Sequence, residues 1–131
     1  RRYAKDLEKL EMSQIDKFKN NISRYGNKKI TNIHKGFSHE VVRNWNKEID
    51  LLFIDGNHVY ENVKKDYEDW AKFISIGGYL IFHDTWFKAP KGKKDWQQGP
   101  GKLIKESLLN NKKWGKVDYI ESLYCLKRLS K

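Results

Sequence analysis

The chain has 131 residues and a formal net charge of +10, from 27 Lys and Arg against 17 Asp and Glu. That length is enough for one domain with one modest core, and no apolar run approaches the roughly 20 residues a membrane helix needs. The single cysteine, Cys125, excludes an internal disulfide and a cysteine-based zinc site, and the basic residues are spread along the chain instead of clustering with aromatics on one element, so nucleic acid is not the expected partner.

The start, Arg1-Arg2-Tyr3, offers neither an initiator Met nor an apolar signal core, which predicts that sequence lies upstream. Leu7 and Leu10 predict a first short helical piece. Ser13 is a plausible N-cap for a second, with Asp16 three residues on, where a capping box would place Glu or Gln. Ile15, Phe18, Ile22 and Tyr25 then line one helix face. Gly26-Asn27 stops that helix, since both residues tolerate left-handed backbone. Residues 29–34 read as a strand, with Ile30 and Ile33 as its apolar content. Gly36-Phe37-Ser38 is the turn after it, and Ser38 caps a short helix reaching Trp45, with Val41, Val42 and Trp45 inward.

Next comes Ile49-Asp50-Leu51-Leu52-Phe53-Ile54, an apolar run closed by Asp55-Gly56. Such a run bounded by turn residues reads as a buried parallel strand. Tyr60, Val63, Tyr67, Trp70 and Ile74 recur at spacings of three and four, so residues 60–76 form a helix with one apolar stripe. Gly77-Gly78 acts as a helix stop and tight turn. Tyr79-Leu80-Ile81-Phe82 is a second apolar strand, closed by His83-Asp84. Strand, crossover helix and strand make a βαβ unit, whose handedness places Asp55 and Asp84 at one rim of the sheet. Ligands of open α/β sheets bind beyond the carboxyl ends of the strands.

Residues 85–101 are the least regular part and hold both prolines, Pro90 and Pro100. A loop of that length reads as a lid or binding loop. Trp86, Phe87 and Trp96 either line a binding pocket or anchor the loop. Residues 103–109 read as a helix. Residues 117–122 and 124–129 alternate like two strands of an antiparallel hairpin, with Cys125 as a small strand side chain. Its reduced state fits a cytoplasmic setting.

The order of these elements and the residues Ile54-Asp55-Gly56-Asn57-His58, Tyr60, Asp66, Gly77-Gly78 and His83-Asp84 resemble the class I S-adenosylmethionine-dependent methyltransferases. The similarity is to the branch with an Ile-Asp-Gly-x-His, Gly-Gly and His-Asp signature. It implies an α/β, partial Rossmann-like fold: a mostly parallel sheet with a C-terminal antiparallel hairpin. Residues 1–131 are then a single partial domain, the C-terminal portion of the family's domain. The Gly-rich loop after the family's first strand and the acid after its second have no counterpart before residue 26. The strand at residues 29–34 would be the family's third, separated from the fourth by two absent strands, a gap of about 14 Å. Upstream residues, a partner chain in a homo-oligomer, or a new packing must complete such a sheet.

The resemblance implies S-adenosylmethionine as cofactor and a hydroxyl on a small molecule or sugar as methyl acceptor. Gly36, Phe37 and Ser38 match the place where the family contacts adenine, with Asp55 beside the cofactor. Phe37 either stacks on the base or is core. Asp55 and Asp84 are two hard carboxylates suited to Mg²⁺, as in related O-methyltransferases; alternatively they cap strand-to-helix turns. Thr85 stands where metal-binding members often carry Asn or Asp. His58 and His83 border the same rim, and either suits a general base or a hydrogen-bonding turn residue. His34 and His39 read as surface residues. The competing function is a fold relative without methyl transfer: a hydroxylase-like enzyme, or a basic binding module.

Overall fold

The computed structural model describes the backbone of residues 2–131 and the side chains of residues 14–131 other than Trp96. The chain forms two compact units, residues 1–35 and 36–131. Among the described residues no helix is long and apolar enough to cross a membrane.

The first unit is built on α1 (Arg2–Tyr25). The helix is continuous, so the expected short first piece and the Ser13 cap are corrected: no Gly or Pro interrupts residues 2–25, and the helical ladder runs through. The side chains of residues 1–13, Leu7, Leu10 and Ser13 among them, lie outside the described residues. The helix ends where Gly26 N–H donates to Ile22 O at 3.1 Å.

The strand expected at residues 29–34 is absent; a turn and irregular backbone stand there. Asn27 accounts for this. Its Oδ1 accepts from Lys29 N–H at 3.1 Å, and its carbonyl accepts from Thr31 Oγ1 at 2.9 Å and from Ile30 N–H at 3.1 Å. Local side-chain bonds of this kind compete with a sheet ladder, and a lone strand has no ladder to offer in return.

The second unit comprises α2 (Ser38–Val41), β1 (Ile49–Ile54), α3 (Tyr60–Trp70), β2 (Ile74–Phe82), α4 (Gly99–Leu103), β3 (Trp114–Ile120) and β4 (Leu123–Arg128). Its sheet has the order β1-β2-β4-β3. β1 and β2 are parallel, and β4 pairs antiparallel with both β2 and β3. The partial Rossmann-like arrangement and its closing hairpin are as expected, but the sheet is not mostly parallel: only the β1–β2 pairing is parallel, because the hairpin supplies the other two pairings.

The helix of the βαβ unit is shorter than its apolar pattern. α3 ends at Trp70, one 3₁₀ turn covers Ala71–Phe73, and Ile74 already opens β2. Gly77-Gly78 is therefore not a helix stop but a bulge inside the strand. The register passes from Ile49 opposite Ile74 to Leu51 opposite Tyr79, which leaves three extra residues on β2. Gly77 has φ 86°, and a Cβ on Gly78 would stand 2.9 Å from Asp50 O. Both positions thus require glycine.

One face of the sheet carries the core. Leu52, Ile54, Leu80, Phe82, Tyr124 and Leu126 point toward Val63 of α3 and toward Leu103, Ile104 and Leu108 of α4 and the π-helical turn after it. The opposite face leaves Leu51 54% and Phe53 49% exposed, with Tyr79 beside Leu51 in the register. The expectation that β1 is buried on both sides is therefore corrected, since only one helical layer covers the sheet within this unit. Arg128 closes the end remote from the Asp55 rim: its Nη1 donates to the carbonyls of Ala71, Lys72 and Ile74 at 3.0, 3.1 and 2.5 Å.

Candidate active site

Parallel pairing of β1 and β2 brings the two acids to one rim, as the βαβ handedness requires. The ladder extends one step beyond β2, where His83 N–H donates to Ile54 O at 3.1 Å. The loop after Ile54 then turns sharply. Asn57 Oδ1 accepts from Val59 N–H at 2.8 Å, which fixes an Asx turn and aims His58 back at the rim. After β2 the chain turns through Asp84, a non-glycine residue at φ 48°. Such a backbone is held by its surroundings. Here Thr85, fully buried, donates its N–H to Ser122 O at 2.9 Å, and its carbonyl accepts from Tyr119 Oη at 2.8 Å.

Asp55, His58 and Asp84 converge so that one ligand atom from each lies within 4.8 Å of the others. His58 Nε2 is buried and makes no hydrogen bond among the described residues, although Asp84 Oδ2 stands 3.4 Å away. An unsatisfied buried ring nitrogen facing two carboxylates is a donor set that fits a hard or borderline divalent cation. Thr85 is not part of it, because its Oγ1 turns inward to Phe82 O at 3.4 Å; His58 occupies the third corner.

His83 does different work. Its Nδ1 lies 3.0 Å from Asp55 Oδ1 and 3.6 Å from Asp84 Oδ2. A carboxylate only accepts, so Nδ1 carries the proton and, in the neutral ring, Nε2 carries the lone pair.

A cavity of about 400 Å³ adjoins this rim at the outer edge of β1, lined by Ser38, Leu52, Asp55, Gly56, Asp66 and Trp70 among others. Ser38 and Asp55, from separate parts of the sequence, thus meet at one wall. The Ser38 hydroxyl donates to Asp66 Oδ1, which ties α2 to α3. Gly36, at φ 153°, turns the chain into α2. Phe37 is not core: it is 69% exposed and stacks on His39 at 5.5 Å, because the turn directs it away from the sheet. His39, read as a surface residue, is half-buried, and His34 is exposed. Phe87 anchors its loop, with its ring edge-on to Tyr119 at 5.3 Å and Tyr124 at 5.7 Å. Trp86 lines a separate cleft of about 270 Å³ with Asp95, Gln98, Lys102 and Lys105, whereas the Trp96 side chain lies outside the described residues.

Sequence reasoning assigned no role to Tyr119, to the Ser38–Asp66 link or to Gly99 and Gly101, which press against the backbone of His58 and Trp86. The Gly-Pro-Gly at residues 99–101 was the one available signal, since paired glycines mark close approach of backbone.

A methyltransferase domain family matches residues 3–85, more than half of the chain. The chain belongs to that family, in line with its resemblance to the class I S-adenosylmethionine-dependent methyltransferases. It is 46% identical over 37 residues to the uncharacterized protein y4gI of Sinorhizobium fredii, a match covering 28% of this chain and 4% of that protein. It is 47% identical over 36 residues to the uncharacterized protein R132 of Acanthamoeba polyphaga mimivirus, covering 28% of this chain and 16% of that one. Among solved structures, it resembles a Staphylococcus aureus protein assigned as a caffeoyl-CoA O-methyltransferase, with a TM-score of 0.69 at 20% identity over 90% of this chain and 60% of that one. That likeness establishes the fold, and the chain spans at most 60% of any of these three proteins.

Proposed function

We propose that this rim transfers the methyl group of S-adenosylmethionine to a hydroxyl oxygen of a small molecule or sugar, with Mg²⁺ held by Asp55, His58 and Asp84. The observation that carries the reading is the convergence of those three donors around the buried His58 Nε2, which makes no hydrogen bond among the described residues, with His83 beside them. His58, which the sequence left open as a base, is assigned here as a ligand, and His83 is the base. A divalent cation held there by Asp55, His58 and Asp84 would lower the pKa of an acceptor hydroxyl and orient it. Asp55 orients the His83 ring through Nδ1–H, leaving Nε2 to take the hydroxyl proton. The freed oxygen forms the new C–O bond to the donor methyl as the C–S bond breaks, and S-adenosylhomocysteine departs. The cavity beside Ser38 and Trp70 suits the adenosine end, with Gly36 and Phe37 leading the chain into Ser38. Methyl transfer asks mainly for positioning and a deprotonated acceptor, which these residues supply.

The test is S-adenosylhomocysteine formation by the whole protein with a panel of catechol and sugar acceptors, with and without EDTA. Turnover is expected to need Mg²⁺, and Asp55→Asn and Asp84→Asn each to lose about 100-fold in kcat/KM, the scale at which a metal's charge stabilisation is removed. Turnover indifferent to EDTA removes the metal and leaves His83 alone on the hydroxyl. Failure to take up S-adenosylmethionine under any condition favours the basic binding module.

A further inference from the structure

We propose that Gly99, Pro100 and Gly101, at the start of α4, are positioning residues that set the gap between the loop bearing His58 and the loop bearing Asp84. The inference rests on the metal reading above. All three residues are buried, and the two glycines press backbone against backbone. Gly99 N–H donates to His58 O at 3.0 Å. A Cβ on Gly99 would stand 2.2 Å from that carbonyl oxygen and 2.8 Å from Tyr60 N. A Cβ on Gly101 would stand 2.1 Å from Trp86 O and 2.8 Å from Trp86 C. Ordinary contact begins at 3.4 Å, so either methyl intrudes by about 1 Å upon peptide groups that cannot swing aside.

Pro100 fixes its own φ between the two contacts and stiffens them. The rest of α4 and the π-helical turn after it repeat the double grip. Lys102 Nζ sits 4.3 Å over the Tyr60 ring, at the end of the His58 loop, and Lys105 Nζ donates to Phe87 O at 3.3 Å, in the loop after Asp84. His58 and Asp84 are 26 positions apart in sequence, yet Nε2 and Oδ2 stand 3.4 Å apart. α4 spans the two loops that carry them. Metal–ligand distances tolerate only about 0.2 Å, so displacing either loop by a methyl's width spoils the donor set while the core beneath remains.

Mn²⁺ affinity, read by electron paramagnetic resonance on the whole protein, tests this. Gly99→Ala and Gly101→Ala are expected to weaken Mn²⁺ binding about tenfold or more, as loss of a ligand's supporting contact does, with an unchanged circular dichroism spectrum. Gly115→Ala, whose methyl meets only the flexible end of Leu129 at 3.2 Å, is expected to bind like wild type. A folded Gly99→Ala with wild-type affinity overturns the proposal. If the alanine variants do not fold, Pro100→Ala decides, because it keeps both glycine contacts and removes the ring constraint; measurably weaker Mn²⁺ binding supports the proposal and wild-type binding overturns it. Should the wild-type protein itself bind no Mn²⁺, the metal reading fails separately. A crystal structure of Gly99→Ala or Pro100→Ala then judges the wedge: a His58–Asp84 separation wider than 3.4 Å supports it, and an unchanged one overturns it.

Discussion

Tyr119→Phe removes one hydroxyl and nothing else from the strand that backs the site. In the wild type that hydroxyl donates to Thr85 O at 2.8 Å, and Thr85 N–H donates to Ser122 O at 2.9 Å. The β3–β4 hairpin thus grips the residue after Asp84 through both its peptide groups. Asp84 itself sits at φ 48°, where a side chain costs about 1–2 kcal/mol, somewhat less for Asp. Without the hydroxyl, the bond's net worth of about 0.5–1.5 kcal/mol is lost, and the carbonyl gives up this partner next to a fully buried side chain, which pushes the loss toward the upper end. Taking about 1 kcal/mol, a unit the size of residues 36–131 falls in Tm by about 4–8 °C. Calorimetric melting checks the stability, and Mn²⁺ titration checks the consequence: Asp84 relaxes toward ordinary backbone and binding weakens. A Tm within about 1 °C of wild type, with unaltered Mn²⁺ binding, would refute the idea that the hairpin holds Asp84 in place.

Trp114 Nε1 donates to Tyr67 Oη at 3.0 Å, and Trp114 is buried; Tyr67→Phe strands that N–H and is expected to cost about 1–3 kcal/mol in urea unfolding, with no effect on Mn²⁺ binding. Because no Gly-x-Gly precedes β1, residues 1–131 alone are expected to give little heat with S-adenosylmethionine in calorimetric titration; low-micromolar binding, about −8 kcal/mol, would contradict this. Burial, reinforced by the Asp118 carboxylate, pushes the Cys125 thiol up. The folded chain then keeps that proton to higher pH than the unfolded chain, so the associated stability is whole below the unfolded thiol pKa of about 8.5 and is lost as pH rises through the folded value. Alkylation near pH 8.5 should be slower in the native protein than in urea, and equal rates would refute the shift.

The parts of this molecule that were legible in the sequence are those with a period or a punctuation mark. β1, α3 and β2 announced themselves through apolar runs, a single helical stripe and the acids that follow, and their parallel pairing followed from connection handedness. The boundary at Ile74 was not legible, because an apolar residue three or four positions after Trp70 serves a helix stripe or a strand equally well. Gly77-Gly78 was read as a turn because two glycines usually are one; the bulge depends on Asp50 O across the sheet, which no local pattern records. The strand at residues 29–34 failed for the opposite reason: its residues suit a strand, but no second strand stands among the described residues of its unit, and Asn27 supplies a local alternative. At the site, Asp55, Asp84, His58 and His83 were visible as a group, yet their separate tasks were not. The Nδ1 contact of His83 with Asp55 and the approach of His58 Nε2 to Asp84 are angular facts, beyond the reach of spacing.

The sheet order β1-β2-β4-β3 also dictates a sequence of events on the ribosome. β2 is made early, but the strand that covers its second edge, β4, is the last of the four to be translated. Until Leu123–Arg128 has emerged, Tyr79 through Phe82 present unpaired backbone beside an apolar core face, and the turn at Ala71–Phe73 waits for the Arg128 guanidinium. At about 5–20 residues per second, the interval from Phe82 to Arg128 lasts seconds, far longer than a hairpin needs to form. The nascent βαβ unit therefore carries an open strand edge throughout that interval, and any stop codon before β4 releases that edge into solution.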